Sequence, residues 1–268
     1  MSGSRSVRLA AIDLDGTLLN SQGQVSEGNA DALRRLVAAG VTVAAATARW
    51  REAALRPFEQ AGVQPAVIAC AGADVTLQDG SVVERRPLPA EFVPFVADLC
   101  EGRGWHANFS LPGKTYRLER EMPPWATRAP AWLAPVTSLR GVDLTGLLSV
   151  LAHVEPEDRG LADLEGWEGR IAREWALSFD GGTLLTVTAA GVDKGTALRA
   201  LCERLGVGTG ETVAFGDSEV DLPMFVVAGM SVAMGQATEV VRAAASFTTA
   251  HADEDGFARA VERILAGD

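Results

Sequence analysis

Side chains that can bind a cation or an anion stand at the ends of apolar runs in this chain. Asp13-Leu14-Asp15-Gly16-Thr17 follows the run from Val7 to Ile12. Thr47-Ala48-Arg49 follows Val41-Thr-Val-Ala, and Gly216-Asp217 follows Thr212-Val-Ala-Phe, with Asp221 a helical turn further on. Lys194 opens a helix pattern in Val192-Asp193-Lys194-Gly195. Carboxylates gathered at one place offer hard oxygen ligands to a divalent cation. A lysine adds a point positive charge for an anion. A glycine lets backbone N–H groups come close to an anionic oxygen. Taken singly, each residue has a plainer reading. Asp13 and Asp15 could form a turn or cap a helix. Thr47 could be structural, Lys194 a solvated surface lysine, and Asp217 and Asp221 a loop acid and a helix cap. The convergence on strand ends argues for a site, because ligands of open α/β sheets bind outside the carboxyl ends of the strands.

The elements that would position these residues follow from apolar patterning. Val7 to Ile12 is continuous enough to be buried on both faces of a parallel sheet. Ser26 can cap a helix that carries Ala30, Leu33, Leu36 and Val37 on one face, with Gly40 ending it. Val41 to Ala44 reads as a strand, Pro57 to Gly62 as a helix with its exit, and Ala66 to Ala69 as a third strand. The alternation predicts a doubly wound α/β sheet. Val75-Thr-Leu, the Asp79-Gly80 turn and Val82-Val-Glu read as a β-hairpin. The next stretch is rich in Pro and Trp and shows no clean period from Pro112 to Pro135. It is expected to be an inserted α+β domain, residues 81–184, within a discontinuous core of residues 1–80 and 185–268. After it, Leu198, Leu201, Cys202 and Leu205 share a helix face that Gly206 ends, and Thr212 to Phe215 is a strand. Asp221-Leu-Pro-Met opens a short helix, Met230 to Met234 is a strand, and Glu239 to Ala245 a helix.

Composition sets the outer bounds. The 268 residues are 47% hydrophobic and 22% charged, which suits a folded chain of one large or two unequal domains. The net charge of −11 argues against nucleic acid and against a polybasic membrane surface. Arg5 and Arg8 precede only a short apolar stretch that enters a polar turn, unlike a signal peptide. No apolar run reaches the roughly 18 residues of a membrane span. The three cysteines, Cys70, Cys100 and Cys202, lie far apart and fit reduced thiols in a cytoplasmic protein.

The motifs Asp13-x-Asp15-Gly16-Thr17, Thr47-Ala48-Arg49, Lys194 and Gly216-Asp217…Asp221, in this order around an insert, resemble the haloacid dehalogenase-like superfamily. Within it they resemble the Cof-type sugar-phosphatase branch, whose cap falls between the second and third motifs. Four fixed residues at ordinary usage match by chance in about one such chain in several hundred. The resemblance covers essentially the whole chain. It implies a Mg²⁺-dependent phosphatase acting on a small phosphorylated metabolite, such as a sugar phosphate. Asp13 would attack phosphorus to give an aspartyl-phosphate. Mg²⁺ would be held by the Asp13 carboxylate, the Asp15 backbone carbonyl and the Asp217 carboxylate. Asp15 would serve as general acid and then general base. Gly16, Thr47, Ala48 and Lys194 would hold the phosphoryl oxygens, with Asp221 holding Lys194 or a metal-bound water in place and Arg49 in support.

Three positions depart from the family pattern. Val220 replaces the usual Asn before Asp221, Ala48 replaces Gly in the second motif, and Ala71-Gly72-Ala73 replaces Asn-Gly-Ala after the third strand. The inserted domain would set specificity, with His106, Lys114, Tyr116, Arg117, Arg120 and the ring of Trp105 as candidate contacts. His153 and His251 have no partner pattern. Two rival readings stand beside hydrolysis: a phosphoryl transferase or mutase on the same scaffold, and a binding protein whose altered rim has weakened catalysis. A monomer or small homo-oligomer is expected.

Overall fold

The Leu-Ala-Ala-Ile segment that precedes Asp13 is wholly buried, as its unbroken apolar run requires. The computed structural model describes residues 7–160, 164–177 and 182–267, so Arg5 lies outside the described residues. In chain order the elements are β1 (Leu9–Ile12), α1 (Glu27–Ala38), β2 (Thr42–Ala46), α2 (Arg51–Ala61), β3 (Ala66–Ala69), β4 (Asp74–Thr76) and β5 (Val82–Arg85). Next come α3 (Phe92–Arg103), β6 (Ala107–Leu111), β7 (Lys114–Leu118), β8 (Leu133–Val136), β9 (Ser149–Val154), β10 (Ile171–Leu177) and β11 (Thr183–Ala189). The chain ends with α4 (Lys194–Leu205), β12 (Thr212–Gly216), α5 (Leu222–Val227), β13 (Met230–Ala233), α6 (Glu239–Ala244), β14 (Phe247–Thr248) and α7 (Gly256–Ala266).

Two compact units result: residues up to Glu84 together with those from Asp193, and Arg85–Val192. The first is an α/β unit with an eight-stranded sheet in the order β14-β13-β12-β1-β2-β3-β4-β5. Strands β14 through β3 are parallel, and β4 runs antiparallel to β3. β1 sits between β2 and β12, with Ile12 level with Ala45 and Phe215. The residues that leave these three strands therefore emerge side by side at one sheet edge. The 75–84 hairpin adds β4 and β5 to this sheet.

Local chemistry explains the helices. Ser26 Oγ accepts the Asn29 N–H at 3.0 Å and caps α1. The buried face of α1 is Asn29, Ala30, Ala32, Leu33 and Leu36; Val37, expected there, is 46% exposed, a step past the stripe. α2 begins at Arg51 and carries Pro57 in its interior, where a helix entry was expected. Ala54, Pro57, Phe58 and Ala61 are buried along one face, and that burial offsets the ~3 kcal/mol cost of an internal proline. Asp193 and Thr196 cap α4 reciprocally, so Lys194 is its first residue. A Cβ on Gly195 would lie 2.4 Å from the Pro223 carbonyl, so this glycine is what lets α4 and α5 touch. The patterning did not reveal β14 or α7. α7 packs on α1, and the buried Asn29 links them by donating to the Leu18 carbonyl and accepting the Ala258 N–H.

The second unit is a six-stranded sheet, β10-β11-β9-β6-β7-β8, antiparallel except for β7–β8, with α3 contributing to its core. β11 pairs along its length with β10 and over five residues with β9. The division consequently falls at Val192/Asp193 instead of 184/185, and at Glu84/Arg85 instead of 80/81. The aperiodic Pro112–Pro135 stretch contains β7 and most of β8. Among the described residues no helix is long and apolar enough to cross a membrane.

Candidate active site

Asp13 leaves β1 directly, its N–H donating to the Phe215 carbonyl at 3.1 Å. Lys194 Nζ lies 2.7 Å from Asp13 Oδ1 and 2.7 Å from Asp221 Oδ1, and the lysine is 1% exposed. Asp221 Oδ2 accepts the Asp217 N–H at 3.1 Å, the Ser218 N–H at 3.2 Å and the Ser218 hydroxyl at 3.1 Å. One oxygen each from Asp13, Asp217 and Asp221 lies within 4.8 Å of the others. Asp221, expected to hold Lys194 or a metal-bound water, does contact Lys194 and also joins the acidic cluster.

Three carboxylates and one ammonium leave an excess of negative charge in a buried place. Burial pushes the Asp13 carboxyl well above the usual carboxylate range; Lys194 opposes this, while Asp221 and Asp217 reinforce it. Burial, then Asp221, raises Asp217 to about 7. For Lys194, burial alone would lower the value, but Asp13 and Asp221 outweigh it and hold the ammonium charged. A divalent cation between Asp13 and Asp217 would remove the imbalance, so these residues fit a hard metal ion.

Gly16 has φ +81°, and a Cβ there would lie 2.2 Å from Asp217 Oδ2. Gly16→Ala is therefore expected to displace the Asp217 carboxylate and to weaken binding of a divalent ion about 10–100-fold, since ligand geometry is lost along with backbone ease. Calorimetric titration of the metal-free protein with Mn²⁺ checks it; unchanged affinity would contradict the close approach.

Thr47 ends β2, with its N–H on the Ile68 carbonyl at 2.9 Å. Its Oγ1 accepts the Arg49 N–H at 3.2 Å, which leaves the hydroxyl proton available to donate. Ala48 lies in the bend between them. Arg49 makes a two-pronged pair with Asp15, Nε to Oδ2 at 2.8 Å and Nη2 to Oδ1 at 2.5 Å. The Asp15 side chain is thus turned to Arg49, and the acidic cluster forms from Asp13, Asp217 and Asp221. The chain after β3 holds this loop by its backbone: Cys70 N–H donates to the Arg49 carbonyl at 2.8 Å and Ala71 N–H to the Thr47 carbonyl at 3.0 Å. Cys70 and Ala71 both have φ above +50° to do so.

Sequence reasoning missed Gln236, whose Nε2 donates to the Gly16 carbonyl and lies 3.5 Å from Asp217 Oδ2. Its signal was available: Gln236 follows β13, the parallel neighbour of β12, at the same sheet edge.

The expected specificity residues form networks inside the second unit. Glu119 accepts from Arg117 Nε at 2.6 Å and lies 2.5 Å from His106 Nδ1, and the Arg117 guanidinium sits over Trp125. Lys114 donates to the Ala131 carbonyl and Arg120 to the Gly104 carbonyl. Tyr116 packs against the core of this unit, and Trp105 is buried with its indole N–H on Asp158 at 2.8 Å, so that ring is not open for stacking. Cys70, Cys100 and Cys202 are buried thiols, and burial raises Cys100 to about 12 and Cys202 to about 11, which makes those two poor nucleophiles.

Known proteins similar to this chain place its family and its fold. The profile of the haloacid dehalogenase-like hydrolase family matches residues 10–261. A Bacillus subtilis 5-amino-6-(5-phospho-D-ribitylamino)uracil phosphatase, YcsE, is 30% identical over 95% of this chain and 94% of its own. A phosphoglycolate phosphatase from Pyrobaculum neutrophilum is 30% identical over 97% of this chain and 96% of its own. The solved structure of a haloacid dehalogenase-like hydrolase from B. subtilis superposes with a TM-score of 0.81 at 23% identity, covering 96% of this chain and 99% of that one, and shares its fold.

Proposed function

Because this chain belongs to the haloacid dehalogenase-like hydrolases, we propose that it is a Mg²⁺-dependent phosphatase of small phosphorylated metabolites that works through an aspartyl-phosphate on Asp13. The observation that carries the reading is the buried Lys194 bridging Asp13 and Asp221 beside Asp217, at the carboxyl end of a parallel sheet. Lys194 holds one Asp13 oxygen and orients the carboxylate, so that the other oxygen is the one to attack phosphorus. Thr47 donates its hydroxyl proton to a phosphoryl oxygen, Gly16 and Ala48 admit backbone N–H groups to others, and Lys194 offsets the gathering charge. Asp15 protonates the leaving alkoxide and then takes a proton from the water that cleaves the acyl phosphate. Arg49 keeps its two-pronged hold on Asp15 until the substrate phosphate competes for the guanidinium. Mg²⁺, held by Asp13, Asp217 and the Asp15 carbonyl, would supply charge neutralisation between two anions.

In this reading the first unit is the catalytic core and the second the cap that sets specificity. Two relatives of equal identity are named for different phosphate esters, a ribityl-aminouracil and a glycolate, so the shared reaction transfers and the substrate does not. The buried thiols suit a reducing, cytoplasmic compartment.

The test is phosphate release from an aryl phosphate and a panel of sugar phosphates, in Mg²⁺ and in EDTA. Mg²⁺-dependent release in step with substrate loss supports hydrolysis. Substrate loss without free phosphate favours transfer to another hydroxyl, and no turnover of any compound favours the binding reading.

The acidic cluster also dictates a pH dependence. Asp217 titrates near 7 in the folded metal-free protein against 3.8 as its reference. Its raised value means that its contribution to stability is complete below 3.8 and is lost as pH rises through about 7. Mg²⁺ takes the carboxylate form, so its apparent affinity is expected to be about 30-fold weaker at pH 5.5 than at pH 8. Melting temperatures with and without Mg²⁺ at the two pH values check this; an equal Mg²⁺ shift at both would contradict it.

A further inference from the structure

Gln236 occupies the turn after β13, and both ends of its amide are engaged. Oε1 accepts the Ala252 N–H at 3.1 Å, while Nε2 donates to the Gly16 carbonyl and faces Asp217 Oδ2 at 3.5 Å. This arrangement fixes the amide's orientation. Flipped, its oxygen would meet a carbonyl and a carboxylate, and its NH₂ would meet an N–H. The turn itself is pinned, with Met234 N–H on the Gly216 carbonyl and Gly235 N–H on the Ala250 carbonyl, each at 3.0 Å. One side chain thus ties together the loop after β1, the loop after β12 and the segment that leads into α7.

The other two carboxylates of the cluster have their own anchors. Lys194 holds Asp13, and Lys194 with Ser218 holds Asp221. Asp217 has Gln236. We propose that Gln236 is the positioning residue of the cation site: it aims the Asp217 carboxylate and holds the Gly16 loop against it, so that the Asp13–Asp217 pair is set for a divalent ion before the ion arrives. This deepens the phosphatase reading and rests on its metal site. Orienting groups behind metal ligands typically govern affinity by 10–100-fold. The mechanism is the lowered cost of ordering a ligand that is already aimed.

The test uses Mn²⁺ alone as the probe, titrated into the full chain and followed by calorimetry, beside melting temperatures in EDTA. Gln236→Met keeps the length and removes both amide bonds. Ala252→Pro leaves Gln236 in place but deletes the N–H that orients it. Proline suits that position, because His251 before it is extended at φ −61°, ψ 151° and Ala252 opens a short 3₁₀ turn. Gln236→Met is expected to weaken Mn²⁺ binding by about 10–100-fold and Ala252→Pro by a smaller factor in the same direction. Melting in EDTA is expected to fall by a few degrees at most, the cost of the lost amide hydrogen bonds, while Mn²⁺ affinity falls by the larger factor; a purely architectural role would lower the first and leave the second. Mn²⁺ affinity within twofold of wild type in both variants overturns the assignment, as does weaker binding that only follows a collapse of the EDTA melting temperature. A wild-type chain that binds no Mn²⁺ overturns the cation site itself and this assignment with it. Should Gln236→Met fail to fold, Ala252→Pro decides.

Discussion

Asp13→Asn is expected to cut phosphate release by at least ~10⁴-fold while raising the melting temperature of the metal-free protein. The two effects have one origin. The Asp13 carboxylate is buried beside Asp221 and Asp217, and burial is the main reason its carboxyl sits far above the usual range. Its charge is therefore a burden on the fold that function requires. An amide keeps an oxygen for Lys194 Nζ, now 2.7 Å from Asp13 Oδ1, and removes the charge. Because the carboxylate's contribution to stability is lost as pH rises through its raised folded value, the gain from Asn should be larger at pH 8 than at pH 5. A phosphate-release assay and thermal melts in EDTA check both halves. Residual activity above a few per cent would remove Asp13 as nucleophile, and a lower melting temperature at pH 8 would refute the burden.

Lys194→Met is expected to do the opposite to stability. It should abolish turnover and cost about 3–5 kcal/mol, the usual penalty for removing one partner from a buried ionic cluster. Asp13, Asp221 and Asp217 would then face one another with no cation among them. Placing Asp13→Asn in the Lys194→Met background should recover part of the loss, because one of the abandoned charges disappears. Urea unfolding of the four chains in EDTA measures this coupling. Additive effects would mean that the Lys194–Asp13 pair does not govern the stability of the cluster.

What the sequence reveals follows from how far each signal reaches. The sheet is legible because buried parallel strands are continuous apolar runs, such as Leu9–Ile12. The start of α1 is legible because Ser26 caps it within three residues. The gathering of Asp13 and Asp217 follows from strand ends alone, once the strands are placed, whereas Lys194 reaches them from the start of α4. Contacts between distant positions carry no local sign. The Arg49–Asp15 pair and the hold of Gln236 on the Gly16 carbonyl depend on which loops the sheet order brings together. Pro57 misled for a related reason. A proline reads as a helix entry unless the buried face of Ala54, Phe58 and Ala61 is weighed against it. The expected second boundary of the insert falls inside β11, whose sequence carries no sign of which sheet it joins; only its pairing with β9 and β10 assigns it.

The order of strands has a consequence for the chain as it is made. β1, which emerges well before β12, has that strand as one of its two partners, with Leu9 level with Thr212. Until residue 212 has left the ribosome, one side of that strand has no partner, and its bare backbone is a template for association with other chains. The intervening second unit is continuous in sequence and can form first, from its own local pairings. Asp13 and Asp217 lie on opposite sides of this delay. The nascent chain completes its acidic cluster only after the whole insert has been made, so a truncated product that stops within the insert carries Asp13 but not its partner acids.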